Sequence, residues 1–435
     1  MDQPTHSPSK AKWALPFFTI WSGQAFSLLG SQIVNFALIW WLTRTTGSAT
    51  VLATATMVGL LPQVIISPLA GALVDRWNRR ITMMVADSTV AGATLVLAIL
   101  FLNGSVEIWH VYLLMFVRSA AGSFHWPAMQ ASTSLMVPKE NLSRVQGINQ
   151  MLQGGMNIAG APLGALLIAI LPMPGVLAID IGTAMLAVLP LFFVPVPQPA
   201  KKQSESGEVL KTSVWIDFKA GLRYIWAWPG LVILLGMATI LNLVFVPSNA
   251  LLPLLITDHF MGGAMQLAGI QSAWGIGAVG GGLLLSVWGG FRRRMLTSML
   301  GLILLSIGSL ATGFVPASAF TIAVVAMFVM GFANPIINGP IFAVVQASVD
   351  PDMQGRVFTI IISAAGAMMP LGLLIAGPVA DWLGVQTWFI IGGGVTLVIA
   401  LIGLFVPAVI NLEDGRTFGE KEKKGAAAYV ANPGD

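Results

Sequence analysis

Gly71-Ala72-Leu73-Val74-Asp75-Arg76-Trp77-Asn78-Arg79-Arg80 sets four charges within ten residues, between two long stretches that carry almost none. Residues 50–74 upstream and 79–103 downstream are apolar except for the charges at the junction and Asp87. A hydrocarbon core roughly 30 Å thick is crossed by about 20 helical residues. Each stretch therefore reads as a membrane span, and the charged decapeptide as the loop between them. The same alternation continues in both directions. It predicts helices near 14–43, 50–74, 79–103, 108–136, 143–171, 174–196, 229–257, 263–290, 293–315, 318–348, 354–380 and 384–408. A polar linker from Pro197 to Thr212 interrupts the series. Trp215–Tyr224 follows, with apolar and charged faces at helical period, as in a helix lying on a membrane surface.

Composition agrees. The chain is 56% hydrophobic and 9% charged, whereas a soluble domain carries roughly 25% charged residues. So few charges cannot cover a water-facing surface, so lipid is the main solvent. The net charge of +4 is small and the basic residues sit in loops, which speaks for membrane orientation and against nucleic-acid binding. Cysteine is absent, excluding disulfides and thiolate metal sites. His6, His110, His125 and His259 are not at ligand spacing, so no metal site and no cofactor is expected. No phosphate-binding loop is visible, which argues against ATP-driven transport within this chain. No nucleophile–base set stands at mid-span depth, so an enzyme is not expected. The apolar run after Lys12 is too long for a signal-peptide core and reads as a retained first span.

Positive charge gives the topology. With both termini cytoplasmic, Lys and Arg fall in the N-tail, loops 2–3, 4–5, 8–9 and 10–11, the linker with its surface helix, and the C-tail. Of the 22 Lys and Arg, only Arg44 and Arg118 lie elsewhere. A wrong span count would scatter these charges over both sides, so the bias supports twelve spans. The expected organisation is an N-tail over 1–13, a six-helix bundle over 14–196, a cytoplasmic linker with its surface helix over 197–228, a second six-helix bundle over 229–408 and a C-tail over 409–435.

The halves echo each other. Gly71 to Gly282, each near the end of a span before an Arg-rich loop, is 211 residues; Arg144 to Arg356, each opening a later span, is 212. A six-helix unit used twice in parallel is the plan of major facilitator transporters, with the substrate near the midplane. Gly-x-Leu-x-Asp-Arg-x-x-Arg-Arg at Gly71–Arg80 resembles the loop 2–3 signature of that superfamily. Trp21–Leu28, Thr46–Ala49, Phe124–Ala128, Ala178–Asp180 and Gly355–Phe358 are similar to its macrolide-efflux branch, and the resemblance runs from about Trp21 to Phe405. It implies an all-α major facilitator fold and a multi-pass drug exporter of the bacterial inner membrane, driven by proton antiport. The branch also contains siderophore exporters. The chain departs from the superfamily pattern at Asn78, where Gly is common, at Phe124, where helix 4 usually has Gly, and at Gly160-Ala161-Pro162, where Gly usually precedes Pro. These departures bear on antiport, not on the fold.

Charges inside a membrane cost roughly 2.5–3.5 kcal/mol each on insertion scales and mark functional candidates. Arg118, about ten residues into helix 4, lies near mid-depth and is a candidate for binding an anionic group or tuning a nearby carboxylate. Asp180 in helix 6 is at a depth that permits pairing with Arg118, as a proton-coupling carboxylate or a static ion pair. His125, seven residues after Arg118, shares its face and either titrates or serves as a hydrogen-bonding structural residue. Gly71, Asp75, Arg76, Arg79, Arg80 and, at the inner end of helix 3, Asp87 form a candidate conformational latch. Amides avoid lipid, so polar stripes suggest cavity wall or interhelical contacts: Gln24, Ser27, Ser31 and Asn35 on helix 1; Asn149, Gln153 and Asn157 on helix 5; Asn242 and Asn249 on helix 7; Asn334 and Asn338 on helix 10. The second half has almost no charge within its spans, predicting an apolar cavity wall there.

These readings converge on a monomeric secondary exporter of hydrophobic or amphipathic compounds of macrolide type, with protons and membrane lipid as its other partners. The competing expectations are export of a siderophore or other metabolite, and a membrane receptor that transports nothing.

Overall fold

The computed structural model describes residues 13–74, 77–198 and 214–414. Each expected span coincides with one long helix: α1 (Ala14–Thr46), α2 (Ala49–Val74), α3 (Arg79–Leu102), α4 (Ile108–Met136), α5 (Lys139–Ile170), α6 (Met173–Phe193), and, after the short helix α7 (Val214–Trp226), α8 (Pro229–Leu254), α9 (Ala264–Trp288), α10 (Arg294–Phe314), α11 (Phe320–Ser348), α12 (Pro351–Leu383) and α13 (Val385–Phe405). Among the described residues, eleven helices are long and apolar enough to cross a membrane. The 29-residue α4, which carries Arg118, Ser119, Ser123 and His125, lies outside that set. Large side chains such as Leu15, Ile99, Leu189, Val287 and Phe405 are exposed on the helices, an arrangement that lipid, not water, makes stable.

The helix ends have local causes. Gly47 closes α1 in the left-handed region, with φ 59°. Asn78 caps α3, its side chain accepting from the Ile81 amide at 3.3 Å; the position where the superfamily signature often has Gly is used here as a helix cap. Glu107 and His110 form a reciprocal capping box at the start of α4. Pro138 and Pro172 immediately precede α5 and α6. Beyond α8 the helix widens into one turn, Leu255–His259, in which the Phe260 amide bonds five residues back.

The chain divides into two compact units. The first contains α1–α6 with Ala250–Ser272 and Ala376–Asp381; the second contains the described residues of Ser206–Asn249, Ala273–Ile375 and Trp382–Asp435. In the first unit α1 packs on α5 and α6, α2 on α4, and α3 on α4 and α6. Gly23 and Gly30, two turns apart on α1, permit the approach to α6. A Cβ at Gly23 would lie 2.3 Å from the Leu186 carbonyl oxygen, and one at Gly30 2.2 Å from Thr183 Oγ1. Small residues at a membrane helix contact let backbones approach closely. Also within this unit, the Asp381 carboxylate caps α2. It accepts from the amides of Ala49 (2.6 Å) and Thr50 (3.0 Å) and from the hydroxyls of Thr50 (2.6 Å) and Ser48 (3.1 Å).

In the second unit α10 is the central helix, packed on α11 and α13. Its hydroxyls bridge to backbone carbonyls of those neighbours: Ser298 Oγ to Ile337 at 2.9 Å and Ser309 Oγ to Phe389 at 2.8 Å. The 13-residue helix α7 is tied to the chain just before α12, where the Tyr224 hydroxyl donates to Asp350 Oδ2 at 3.1 Å.

Candidate functional site

The first unit carries an open cavity of about 490 Å³. Four ionisable side chains reach it: Asp87 from α3, Arg118 and His125 from α4, and Asp180 from α6. The hydroxyl and amide stripe of α1 supplies the facing wall. Helical period brings Gln24, Ser27, Ser31 and Asn35 to that wall, and Gln153 joins from α5.

Arg118 and Asp180 form an ion pair. Arg118 Nη1 donates to Asp180 Oδ2 at 2.5 Å and to Thr94 Oγ1 at 3.2 Å. Thr94 Oγ1 donates to Asp180 Oδ2 at 3.2 Å, and Ser31 Oγ to Asp180 Oδ1 at 3.3 Å. Asp180 is 2% exposed and thus accepts from three donors on three helices, α1, α3 and α4. A buried carboxylate needs such compensation, since an uncompensated one is strongly destabilising. The close approach of α1 to α6 at Gly30 brings Ser31 within reach.

Asp87 has a different environment. Gln24 Nε2 donates to its Oδ2 at 2.9 Å. His125 Nε2 lies 3.4 Å from its Oδ1, and this ring nitrogen is enclosed without a hydrogen bond. The sequence assigns Asp87, near the inner end of helix 3, to the loop 2–3 latch. Its side chain lines the cavity, beside Ala86 and Val90 of the same helix. Asp75 and Arg76 lie outside the described residues. Gly71 is in the last turn of α2. Arg79 is buried, with Nη1 donating to the Ala131 carbonyl at 2.9 Å and its amide to Gln198 Oε1 at 3.1 Å. Arg80 donates from Nε to the Leu191 carbonyl and from Nη2 to that of Phe192 at 2.7 Å. A cation there sits at the negative end of α6.

Of the remaining amides, Asn149 accepts from Trp21 Nε1 at 2.7 Å, joining α5 to α1 beside a small pocket next to the main cavity. Asn242, Asn334 and Asn338 line a separate pocket of about 270 Å³ in the second unit, whose wall is otherwise apolar, with Phe245, Phe342 and Phe358. Asn157 and Asn249 are exposed and line neither cavity. Sequence reasoning missed Gln32 and Gln63. Gln32 adjoins the α1 stripe, and Gln63 is a lone amide in an apolar span, which was itself a signal. Among the described residues no group of three or more His, Asp or Glu could hold a metal ion.

Span-length helices around a polar cavity walled by ionisable groups are the architecture of a multi-pass membrane transporter for small molecules. The comparisons with known proteins give the family. Residues 20–369 and 248–428 match the Major Facilitator Superfamily. Macrolide efflux protein A of Streptococcus pyogenes is 34% identical over 401 residues, covering 92% of this chain and 98% of that protein. Multidrug efflux pump Tap of Mycolicibacterium fortuitum is 26% identical over 393 residues, 88% and 94% of the two chains. The crystal structure of nucleoside transporter NupG superposes with a TM-score of 0.66 at 17% identity, over 90% of this chain and 98% of that one, a likeness of fold alone. The chain belongs to the major facilitator superfamily, in the branch that holds the macrolide-efflux proteins.

Proposed function

We propose that this protein is a secondary active exporter of hydrophobic or amphipathic compounds, macrolide-type drugs among them, and that it works by proton antiport with alternating access. The observation that carries this reading is the cavity of the first unit. It brings Asp87, Arg118, His125 and Asp180 together inside the span region, in a chain 34% identical to a macrolide efflux protein. Charged groups are costly within a membrane and by default mark a path for ions or substrate. The apolar pocket in the second unit, with its three asparagines, supports a substrate that is bulky and largely apolar but carries hydrogen-bonding groups.

The rest of the reading follows from sequence. The one-sided distribution of Lys and Arg supports twelve spans with both termini cytoplasmic. Bacterial relatives support the inner membrane as its location. The protein acts as a monomer in lipid, its substrate and protons being its partners. Gly71, Asp75, Arg76, Arg79 and Arg80 form the latch that the loop 2–3 signature implies.

The test is efflux from energised cells of a macrolide and of a fluorescent lipophilic compound, comparing wild type with Arg118→Ala and Asp180→Asn. Active export by wild type, stopped by a protonophore and lost in a normally expressed variant, is the expected result. Export untouched by the protonophore contradicts proton coupling, and export unchanged in both variants contradicts a coupling role for the pair.

A further inference from the structure

The pocket of the second unit presents hydrogen-bonding capacity that the protein does not use, and the surplus identifies the group that the pocket takes. The pocket, about 270 Å³ in volume, lies between α8, α10, α11 and α12, and no charged or hydroxyl side chain lines it. Its polar side chains are Asn242, Asn334 and Asn338. Asn242 and Asn334 stand near the middle of α8 and α11, at the depth farthest from water and headgroups. Asn242 Nδ2 donates to the Ala238 carbonyl at 2.9 Å and Asn338 Nδ2 to the Asn334 carbonyl at 3.0 Å, each one turn back on its own helix. Both amides thus turn nitrogen toward the backbone, and among the described residues neither side-chain oxygen accepts a hydrogen bond. The Asn334 side chain, half-buried, makes no hydrogen bond to any described residue. The hydroxyls of the adjoining α10 are different: Ser298, Ser306, Ser309 and Thr312 each donate to a backbone carbonyl. Amides within a membrane avoid lipid, and one left without a partner is costly.

Resting on the export reading above, we propose that this pocket is a hydroxyl-selecting subsite: it takes an uncharged, apolar part of the exported compound that bears free hydroxyls, and Asn334, with Asn242, determines that specificity. A hydroxyl both donates and accepts, so it matches an amide whose oxygen is free and whose nitrogen is wholly or partly free. A charged group does not match, because no charged side chain on the wall compensates it. The rest of the wall is apolar, with the Phe342 and Phe358 rings stacked at 5.9 Å between centroids. Apolar walls discriminate weakly between analogues. A site built to hydrogen-bond a hydroxyl rejects the analogue that lacks it, since the protein's own polar group is then left unpaired. The volume is at the lower end of small-molecule sites, so the pocket takes one part of a bulky compound such as a macrolide, namely a stretch of its hydroxylated lactone ring. A lipid acyl chain is the competing occupant; it would fill the apolar wall and leave all three amides without a partner.

The test measures equilibrium binding to the purified full chain in lipid nanodiscs, apart from transport. The probes are a macrolide with several free ring hydroxyls and the analogues from which each of these hydroxyls has been removed in turn. Wild type is expected to bind the parent about tenfold tighter than at least one deoxy analogue, the factor that about 1.4 kcal/mol represents. Asn334→Leu is expected to bring the parent down to the affinity of that analogue without weakening the analogue, and Asn334→Gln, which keeps an amide, to retain the preference. Asn242→Leu is expected to act in the same direction and carries the test if Asn334→Leu does not fold. Equal wild-type affinity across the whole series overturns the proposal, as does absence of macrolide binding by the folded wild type. A preference that survives in both leucine variants, or variants that weaken every compound by the same factor, overturns it too; a preference that survives in both leaves the pocket to lipid. Failure of the export reading is distinct: it is read as absence of efflux from energised cells, and the hydroxyl preference in binding is scored by itself.

Discussion

Removing either partner of the Arg118–Asp180 pair has a cost that the structure lets one rank. The pair is 2.5 Å apart, with Asp180 2% and Arg118 13% exposed. Breaking a buried ion pair from one side costs about 3–5 kcal/mol, mostly because the other charge is left behind. In Asp180→Asn the stranded group is Arg118, which retains some access to the cavity. The single asparagine oxygen still accepts at one of the two positions, from Ser31 or from Thr94. The cost should be at the lower end, about 3 kcal/mol. In Arg118→Gln the stranded group is a carboxylate that is nearly inaccessible and keeps only two hydroxyl donors, so the cost should be higher, about 4–5 kcal/mol. The double variant leaves neither charge and should recover about 2–3 kcal/mol relative to the sum of the singles, within the span of measured coupling energies. The assay is thermal unfolding of the detergent-purified protein through the complete cycle. Unfolding entropy scales with chain length at about 2.1 cal/mol/K per residue, so for a chain of this size about 3 kcal/mol corresponds to a fall on the order of 3 °C in Tm. Simple additivity of the two single variants would refute the reasoning, as would an Asp180→Asn protein less stable than Arg118→Gln.

Three further substitutions test the packing around the site. Gly23→Ala places a methyl 2.3 Å from the Leu186 carbonyl oxygen, so α1 and α6 must part; an overpacking cost of about 1–3 kcal/mol is expected as a lower unfolding temperature. Asp381→Ala removes four acceptor contacts at the start of α2. It should cost about 1–2 kcal/mol and speed amide hydrogen exchange at Ala49 and Thr50, with Asp381→Asn intermediate. Arg80→Ala removes the donors to the last carbonyls of α6 and should lower stability by about 1–2 kcal/mol, again read by thermal unfolding.

Most of the fold was legible because bilayer thickness fixes span length and basic residues mark loops. The helices begin and end within a few residues of the expected positions. The differences arise from caps: α5 starts at Lys139, directly after Pro138, and α12 at Pro351, both before the apolar runs that defined the expected spans. The cavity was legible where one residue type repeats at helical period, as along Gln24, Ser27, Ser31 and Asn35. It was not legible at Gln32 and Gln63, because the cavity takes more of each helix surface than one stripe. Asp87 was given to the latch from its place near the inner end of helix 3, and its side chain lines the cavity. Position along a helix gives distance from the membrane surface, while the direction a side chain faces depends on which helices pack beside it, here α1 and α4 through Gln24 and His125. Asn157 and Asn249 are exposed amides at cavity-like spacing that line neither pocket.

The most direct test of the central claim is transport by the purified protein in proteoliposomes, with a macrolide at equal concentration on both sides and an imposed pH gradient. The account predicts macrolide movement against its concentration gradient, opposite to the proton flow, abolished by a protonophore and by Asp180→Asn. Macrolide movement that is indifferent to the pH gradient, or no movement of any amphipathic compound by a correctly folded wild-type protein, would contradict it.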